Sequence, residues 1–362
     1  MSELAAYKMS TGFFSLLYAV IPVIFYILVF LKKRRAYCVE DTSVISSFLL
    51  LFVMAVLMGI SPIVPDTDKD RYLEEYLGLL KERDSDFGWG IYSEIMRLIL
   101  GSNVILFFIA TAMIYSFSYF YFSKKMFPNN CGYLLIMITG SLGFSGYGSN
   151  TIRSGMALAI MLLALVVPQG KWNRILAFLV ILCSLSIHKS MAIPIAAYAV
   201  ANYLKNLRFV ESFWLFCLFI SILDIDIASL FEQLSFVDSR VMSYAETKGE
   251  YVSDYSKMGF RPDFVIYSLL PVYIANIWMK RYNYYSDFYG RIYRAYLFAN
   301  SVWLLSMRVN FADRIAYLSW FMIPVLTLYP LLSGELKIKN AQGATLLIIG
   351  TFVGMNLLLS LR

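Results

Sequence analysis

Apolar residues in this chain run in blocks of roughly 17 to 22, each long enough to cross about 30 Å of hydrocarbon as a helix. The blocks cover approximately 10–31, 43–60, 102–123, 131–147, 152–168, 174–188, 190–204, 211–230, 263–279, 291–307, 315–332 and 342–360. The pattern predicts an all-α integral membrane protein, a polytopic bundle of about twelve transmembrane helices. Most connections are short turns, but two loops on one side are longer, at about 61–101 and 231–262. The first opens on the acidic PDTDKDRYLEEY and continues into DFGWGIYSEIMRLIL. There Trp89, Ile91, Tyr92, Ile95 and Leu98 recur at near-helical spacing, which predicts a short helix lying in the membrane interface. The second loop is polar and tyrosine-rich, with Tyr244, Tyr251 and Tyr255, and is expected to cover a site.

Charge sets the expected orientation. Lys32 to Arg35, Lys124-Lys125, Lys171 with Arg174, Lys205 with Arg208, Lys280-Arg281 with Arg291 and Arg294, and Lys337 with Lys339 all fall in connections on one side. Basic, acid-poor loops stay in the cytoplasm, so the N-terminus and the two long loops are expected outside. The first apolar block has its basic cluster behind it, and it is too long for a signal-peptide core. No cleavable signal is expected.

A hydrophobic fraction of 59% and a mean hydropathy of +0.65 exclude an ordinary soluble protein and predict a single polytopic membrane domain over 1–362. The net charge of +7 is scattered among short loops, which is not the footprint of nucleic-acid binding. Cys38 and Cys131 fall on the expected cytoplasmic edge, and Cys183 and Cys217 fall inside spans. Neither a disulfide nor a cysteine metal site is expected.

The chemistry concentrates in Ser149–Ser190, two apolar blocks joined by a basic turn. Arg153 opens the first block, and His188, the only histidine in the chain, closes the second. A hairpin brings both to one membrane surface, where an arginine at a helix N-terminus suits an anion and a histidine suits proton transfer. Asn150 is placed to cap that helix. Arg308 and Arg314 flank a later turn on the same expected side, and three guanidiniums suit a pyrophosphate. The plain alternatives are an arginine snorkelling to headgroups, a histidine stabilising a helix C-terminus and an ordinary basic loop. Asp66, Asp68 and Asp70 read as a solvated face, a catalytic carboxylate, a sugar-hydroxyl acceptor or a divalent-ion ligand. Their spacing lacks the glycine and terminal glutamate of a calcium loop, so no metal is expected. Apart from Asp224 and Asp226 the spans hold almost no acids, which argues against a proton-coupled transporter.

Asn150-Thr-Ile-Arg153 with Ala157, then the basic turn, then Ile187-His188-Lys-Ser190, resembles the signature of EpsG-type polysaccharide polymerases, relatives in kind of the Wzy O-antigen polymerases. Thr67-Asp68 with Tyr72, Asp86-Phe-Gly88-Trp89 and Arg314-Ile-x-x-Leu318 are similar to further segments of that family. Ser154 stands where the family often has glutamine, and Tyr317 precedes Leu318. The resemblance implies a GT-C-like bundle in the cytoplasmic membrane of a bacterium, with its active site facing outward. It implies transfer of a glycan from undecaprenyl pyrophosphate to a sugar hydroxyl of a lipid-linked repeat unit, without a cofactor. Arg153, Arg308 and Arg314 would then hold the pyrophosphate, and His188 or Asp68 would take the acceptor proton. Asn150, Asp66, Tyr72, Trp89, Arg240, Tyr244 and Tyr317 are the expected contacts to the acceptor sugars. The implied partners are undecaprenyl-pyrophosphate-linked oligosaccharides, membrane lipids, and a chain-length regulator and flippase of the same pathway. The competing readings are a polyprenyl-donor ligase or single-sugar transferase, an exporter, and a membrane acyltransferase.

Overall fold

A computed structural model describes residues 3–32, 44–65, 67–80, 86–168, 170–223, 259–308, 312–336 and 338–360. All regular structure among them is helical. Among the described residues four stretches are long and apolar enough to cross a membrane: Thr11–Val29, Val104–Met126, Ala312–Leu332 and Ala341–Ser360. Val44–Ile60 and Ile152–Val166 are shorter apolar helices. The backbone groups into two compact units, one of Met1–Ala192 with Pro330–Arg362 and the other of Ile193–Tyr329.

In the first unit α1 (Glu3–Lys32), α2 (Val44–Ile60) and α5 (Val104–Met126) match expected blocks closely. The block expected at 131–147 is instead broken into α6 (Cys131–Thr139) and α7 (Phe144–Ser149). Gly143 sits between them at φ 92°, a left-handed conformation that α-helix cannot continue through and that glycine adopts freely. Every residue of α6 is buried, so this helix is the axis of the unit. The last helix of the chain, Ala341–Ser360, lies against it: Gln342 donates to the Tyr133 hydroxyl at 2.8 Å, and a Cβ on Gly140 would run into the Val353 side chain.

The Ser149–Ser190 hairpin forms as expected. Helix α8 (Ile152–Leu163) ends in a short 3-10 turn, α9 (Lys171–Ile187) returns, and Ser184 donates to the Ala157 carbonyl at 2.8 Å between them. The acidic segment forms a helix, α3 (Asp68–Leu77), capped by Thr67 and closed by Gly78 in the left-handed conformation. Its inner face carries Lys69, Tyr72, Glu75 and Tyr76, spaced to lie on one side of a helix. The expected interface helix is α4 (Phe87–Leu100). Phe87, Ile91, Ile95 and Leu98 are exposed while Trp89, Gly90 and Ser93 are buried, so its apolar stripe faces away from the protein and Trp89 faces in. That arrangement fits a helix lying on hydrocarbon.

The second unit holds α10 (Ala192–Tyr203), which begins at the boundary, α11 (Leu207–Ile222), α12 (Pro262–Asn276) and α13 (Asp287–Leu305). The block expected at 315–332 divides into α14 (Ala312–Trp320) and α15 (Ile323–Leu332), and α16 is the last helix already described. Buried Asn300 ties four of them together. It accepts from Trp214 at 2.9 Å and donates to Ser268 at 3.3 Å and Ser319 at 3.0 Å, while Trp320 donates to Ser268 at 2.8 Å. Interhelical hydrogen bonds of this kind substitute for the hydrophobic drive that lipid does not supply.

Candidate active site

At one end of the first unit five helix ends meet. The lysine of α3 reaches the C-terminus of α2: Lys69 Nζ donates to the carbonyls of Met58 (3.2 Å), Gly59 (3.2 Å) and Ser61 (2.7 Å) and to Ser61 Oγ (2.8 Å). An ammonium there satisfies carbonyls that have no helical partner and faces the negative end of the helix dipole. Burial pulls its pKa down, to about 7. The Lys69 backbone N–H donates to Asn150 Oδ1 at 3.2 Å. Asn150 was expected to cap α8, but Thr151 occupies the cap position and the Asn150 amide fastens α3 instead. Tyr76 closes the other side of α3, donating to the Gly101 carbonyl at 2.6 Å and stacking on Phe107 of α5 with centroids 4.1 Å apart.

Arg153 lies in the first turn of α8, with its side chain only 4% exposed. Its Nη1 is 3.2 Å from Oδ2 of Asp86, whose side chain is fully buried at the start of α4. The other Asp86 oxygen, Oδ1, accepts from the backbone N–H of Lys189 at 3.4 Å. One carboxylate therefore links the arginine to the residue after His188. The Arg153 guanidinium also lies over the Tyr72 ring at 5.3 Å, and Tyr72 packs on Trp89 with centroids 5.2 Å apart. Asp68 and Glu75 lie within electrostatic reach of it. The Asp86 contact is poorly aligned, however, and neither Nε nor Nη1 of Arg153 has a hydrogen-bond partner among the described residues. A buried guanidinium balanced in charge but short of acceptors can take further oxygens.

His188 terminates α9, half-buried, and caps a 3-10 turn, Lys189–Met191. Its Nδ1 accepts from the backbone N–H of Ser190 at 3.1 Å and lies 2.6 Å from Ser190 Oγ. The close approach of α4 to this corner depends on Gly88, since a Cβ there would run into the Oγ and backbone carbon of Ser186.

Of the residues singled out from sequence, this end gathers Asp68, Tyr72, Trp89, Asn150, Arg153 and His188 onto four connected segments. Arg314 and Tyr317 belong to the second unit, on α14, within electrostatic reach of Arg261 and Asp313. Arg308 is exposed in the turn after α13 of that unit. Asp66, Arg240 and Tyr244 lie outside the described residues. Lys69 and Asp86, central to the geometry, were not singled out. Asp86 was visible only as the first residue of the Asp-Phe-Gly-Trp step, and a lysine among acids gave no sign of burial. Among the described residues no cluster of three or more histidine, cysteine or acidic side chains is arranged to hold a metal ion.

The model of the EpsG family matches residues 44–361, nearly the whole chain and every segment of this site. The chain belongs to the EpsG family. No curated protein and no solved structure matches it. Membership makes it a polysaccharide polymerase of the glycosyltransferase kind, and its apolar helices make it a membrane protein. Within this EpsG chain the Asn150–Arg153 and His188–Ser190 segments that carried the resemblance are joined through Lys69 and Asp86.

Proposed function

We propose that this EpsG-family protein polymerises lipid-linked oligosaccharide repeat units at the outer face of the bacterial cytoplasmic membrane, as a bundle of about twelve spans with a GT-C-like arrangement. The glycan leaves undecaprenyl pyrophosphate and joins a sugar hydroxyl of an acceptor unit. The bond from the anomeric carbon to phosphate oxygen breaks, a bond to the hydroxyl oxygen forms, and the hydroxyl proton passes to a base. Arg153 receives the pyrophosphate oxygens on its unpartnered N–H groups and steadies the charge that develops as they leave. No metal is required in this scheme. Asp68 or His188 takes the proton. Tyr72 and Trp89, expected to meet sugars, are buried and brace the Arg153 guanidinium instead, and Asn150 supplies a hydrogen bond to the acceptor. The donor is delivered by a flippase, and product length is set with a chain-length regulator.

The observation that carries the reading is the Arg153 side chain: almost wholly buried, charge-balanced by Asp86, and still lacking acceptors on two nitrogens. The test replaces it. In cells producing Arg153→Ala, polymer is expected to disappear while lipid-linked single repeat units accumulate and the protein remains in the membrane. Polymer of near-normal length would overturn the assignment. A product extended by one sugar, never by a ladder of repeats, would instead indicate a ligase or single-sugar transferase.

A further inference from the structure

We infer that the second unit holds a zwitterionic, amine-bearing phospholipid in an apolar groove between α11 and α12, with the lipid ammonium on Glu211 and its phosphate on Lys280.

The groove lies wholly within that unit, and buried Leu297 of α13 forms its floor. Its volume is about 640 Å³, within the roughly 300–1,000 Å³ of ligand sites. Ile266, Leu269 and Tyr273 recur at helical spacing along α12, and with Leu215 of α11 they leave large apolar surfaces exposed. From Ile266 to Lys280 the groove runs about 21 Å along the helix axis, against about 15 Å of hydrocarbon in one leaflet. An apolar groove of that length in a membrane protein takes a lipid chain, because an unfilled one forfeits dispersion contacts along both walls.

The polar end of the groove selects the headgroup. Glu211 lines it from the start of α11, and Asn276 and Lys280 line it where α12 widens into a π turn, Ile277–Arg281. The Tyr293 hydroxyl donates to Glu211 Oε1 at 3.0 Å. The other carboxylate oxygen, Oε2, is 3.9 Å from Lys280 Nζ, beyond hydrogen-bond reach, and the lysine side chain is 68% exposed. Asn276 Nδ2 donates to the Tyr293 hydroxyl at 2.9 Å, and its Oδ1 is buried without a hydrogen-bond partner among the described residues. Acceptors short of donors therefore stand beside a cation short of an anion. A phosphate carrying a primary ammonium supplies both. An anionic lipid would set a second negative charge against Glu211, and a choline head has no N–H to donate. Lys205, Arg208 and Arg281 put this end among the basic connections expected in the cytoplasm. The lipid belongs there whatever reaction the protein catalyses.

The test is native mass spectrometry of full-length protein, stripped of lipid in detergent and titrated with phosphatidylethanolamine, phosphatidylglycerol or phosphatidylcholine of identical acyl chains. One phosphatidylethanolamine per chain is expected to bind roughly 10- to 100-fold more tightly than either of the others, the worth of a hydrogen bond between charged groups. Glu211→Gln keeps an acceptor for Tyr293 but loses the charge, and should erase the preference. Leu215→Trp fills the groove and should weaken binding of all three lipids while the protein melts like the wild type. Equal binding of the three lipids by wild-type protein overturns the assignment, as does a preference for phosphatidylglycerol. So does an unchanged preference in Glu211→Gln, displacement of phosphatidylethanolamine by an equimolar polyprenyl phosphate, or a dimer whose formation excludes lipid and so makes a second copy the occupant. The wild-type titration decides even where a variant fails to fold.

Discussion

Asp86 and Arg153 offer the most direct test of how this corner is held. Their side chains are 0% and 4% exposed, and the closest charged atoms are 3.2 Å apart. With an effective dielectric of about 20, a unit pair at that distance attracts by about 5 kcal/mol. Desolvation of both groups offsets much of this, so the pair need not add net stability. Removing one partner is different, because it strands the other charge in a buried site at a cost of about 3–5 kcal/mol. Asp86→Asn is the cleanest perturbation, since it keeps the shape and an acceptor for the Lys189 N–H while deleting the charge. The expected cost is about 3 kcal/mol, at the lower end of that range. Arg153→Met leaves the carboxylate stranded instead and should cost a similar amount. The double variant removes both charges, and its loss should fall short of the summed single losses by about 1–3 kcal/mol. The assay is thermal denaturation of detergent-purified protein followed by aggregation-sensitive size exclusion, comparing apparent Tm among the four proteins. Strictly additive losses, or an Asp86→Asn protein as stable as wild type, would refute the ion-pair argument.

Gly88→Ala should drive α4 off the end of α9 because the new Cβ meets the Ser186 backbone, and polymer yield in cells should drop sharply. Gly146→Ala, where a Cβ meets nothing within 4 Å, serves as its control and should leave yield unchanged. Lys69→Met removes the ammonium from the Gly59 and Ser61 carbonyls, while Met58 keeps the Ser61 hydroxyl, and should destabilise the protein by about 2 kcal/mol, read as a lower apparent Tm. Lys69 also predicts a pH slope. Its folded pKa, about 7, lies below the ordinary 10.5, so between those values only the unfolded chain binds the proton. Stability attributable to Lys69 therefore rises with pH across that window, and the Lys69→Met protein should lack that part of the slope. Equal slopes in both proteins would place a different group behind the effect.

The sequence by itself determined that this is a helical membrane protein, because an apolar block without water must satisfy its backbone as helix, and hydropathy alone reports that. It also determined that Arg153 and His188 share an end, since two blocks joined by a short basic turn must run antiparallel. Asn150 was legible at the same end for the same reason, whereas Asp68, Tyr72 and Trp89 were tied to it only by the family resemblance. Their partners were not. Which charge neutralises Arg153 depends on where α4 packs against the end of α9, and Asp86 lies 67 positions earlier in the chain, across a loop whose path no local pattern fixes. The burial of Lys69 was hidden because a lysine in an acidic segment reads as solvated until the end of α2 is brought against it. The Ser190 N–H that points at His188 Nδ1 closes a two-residue turn, and only tertiary structure decided that direction.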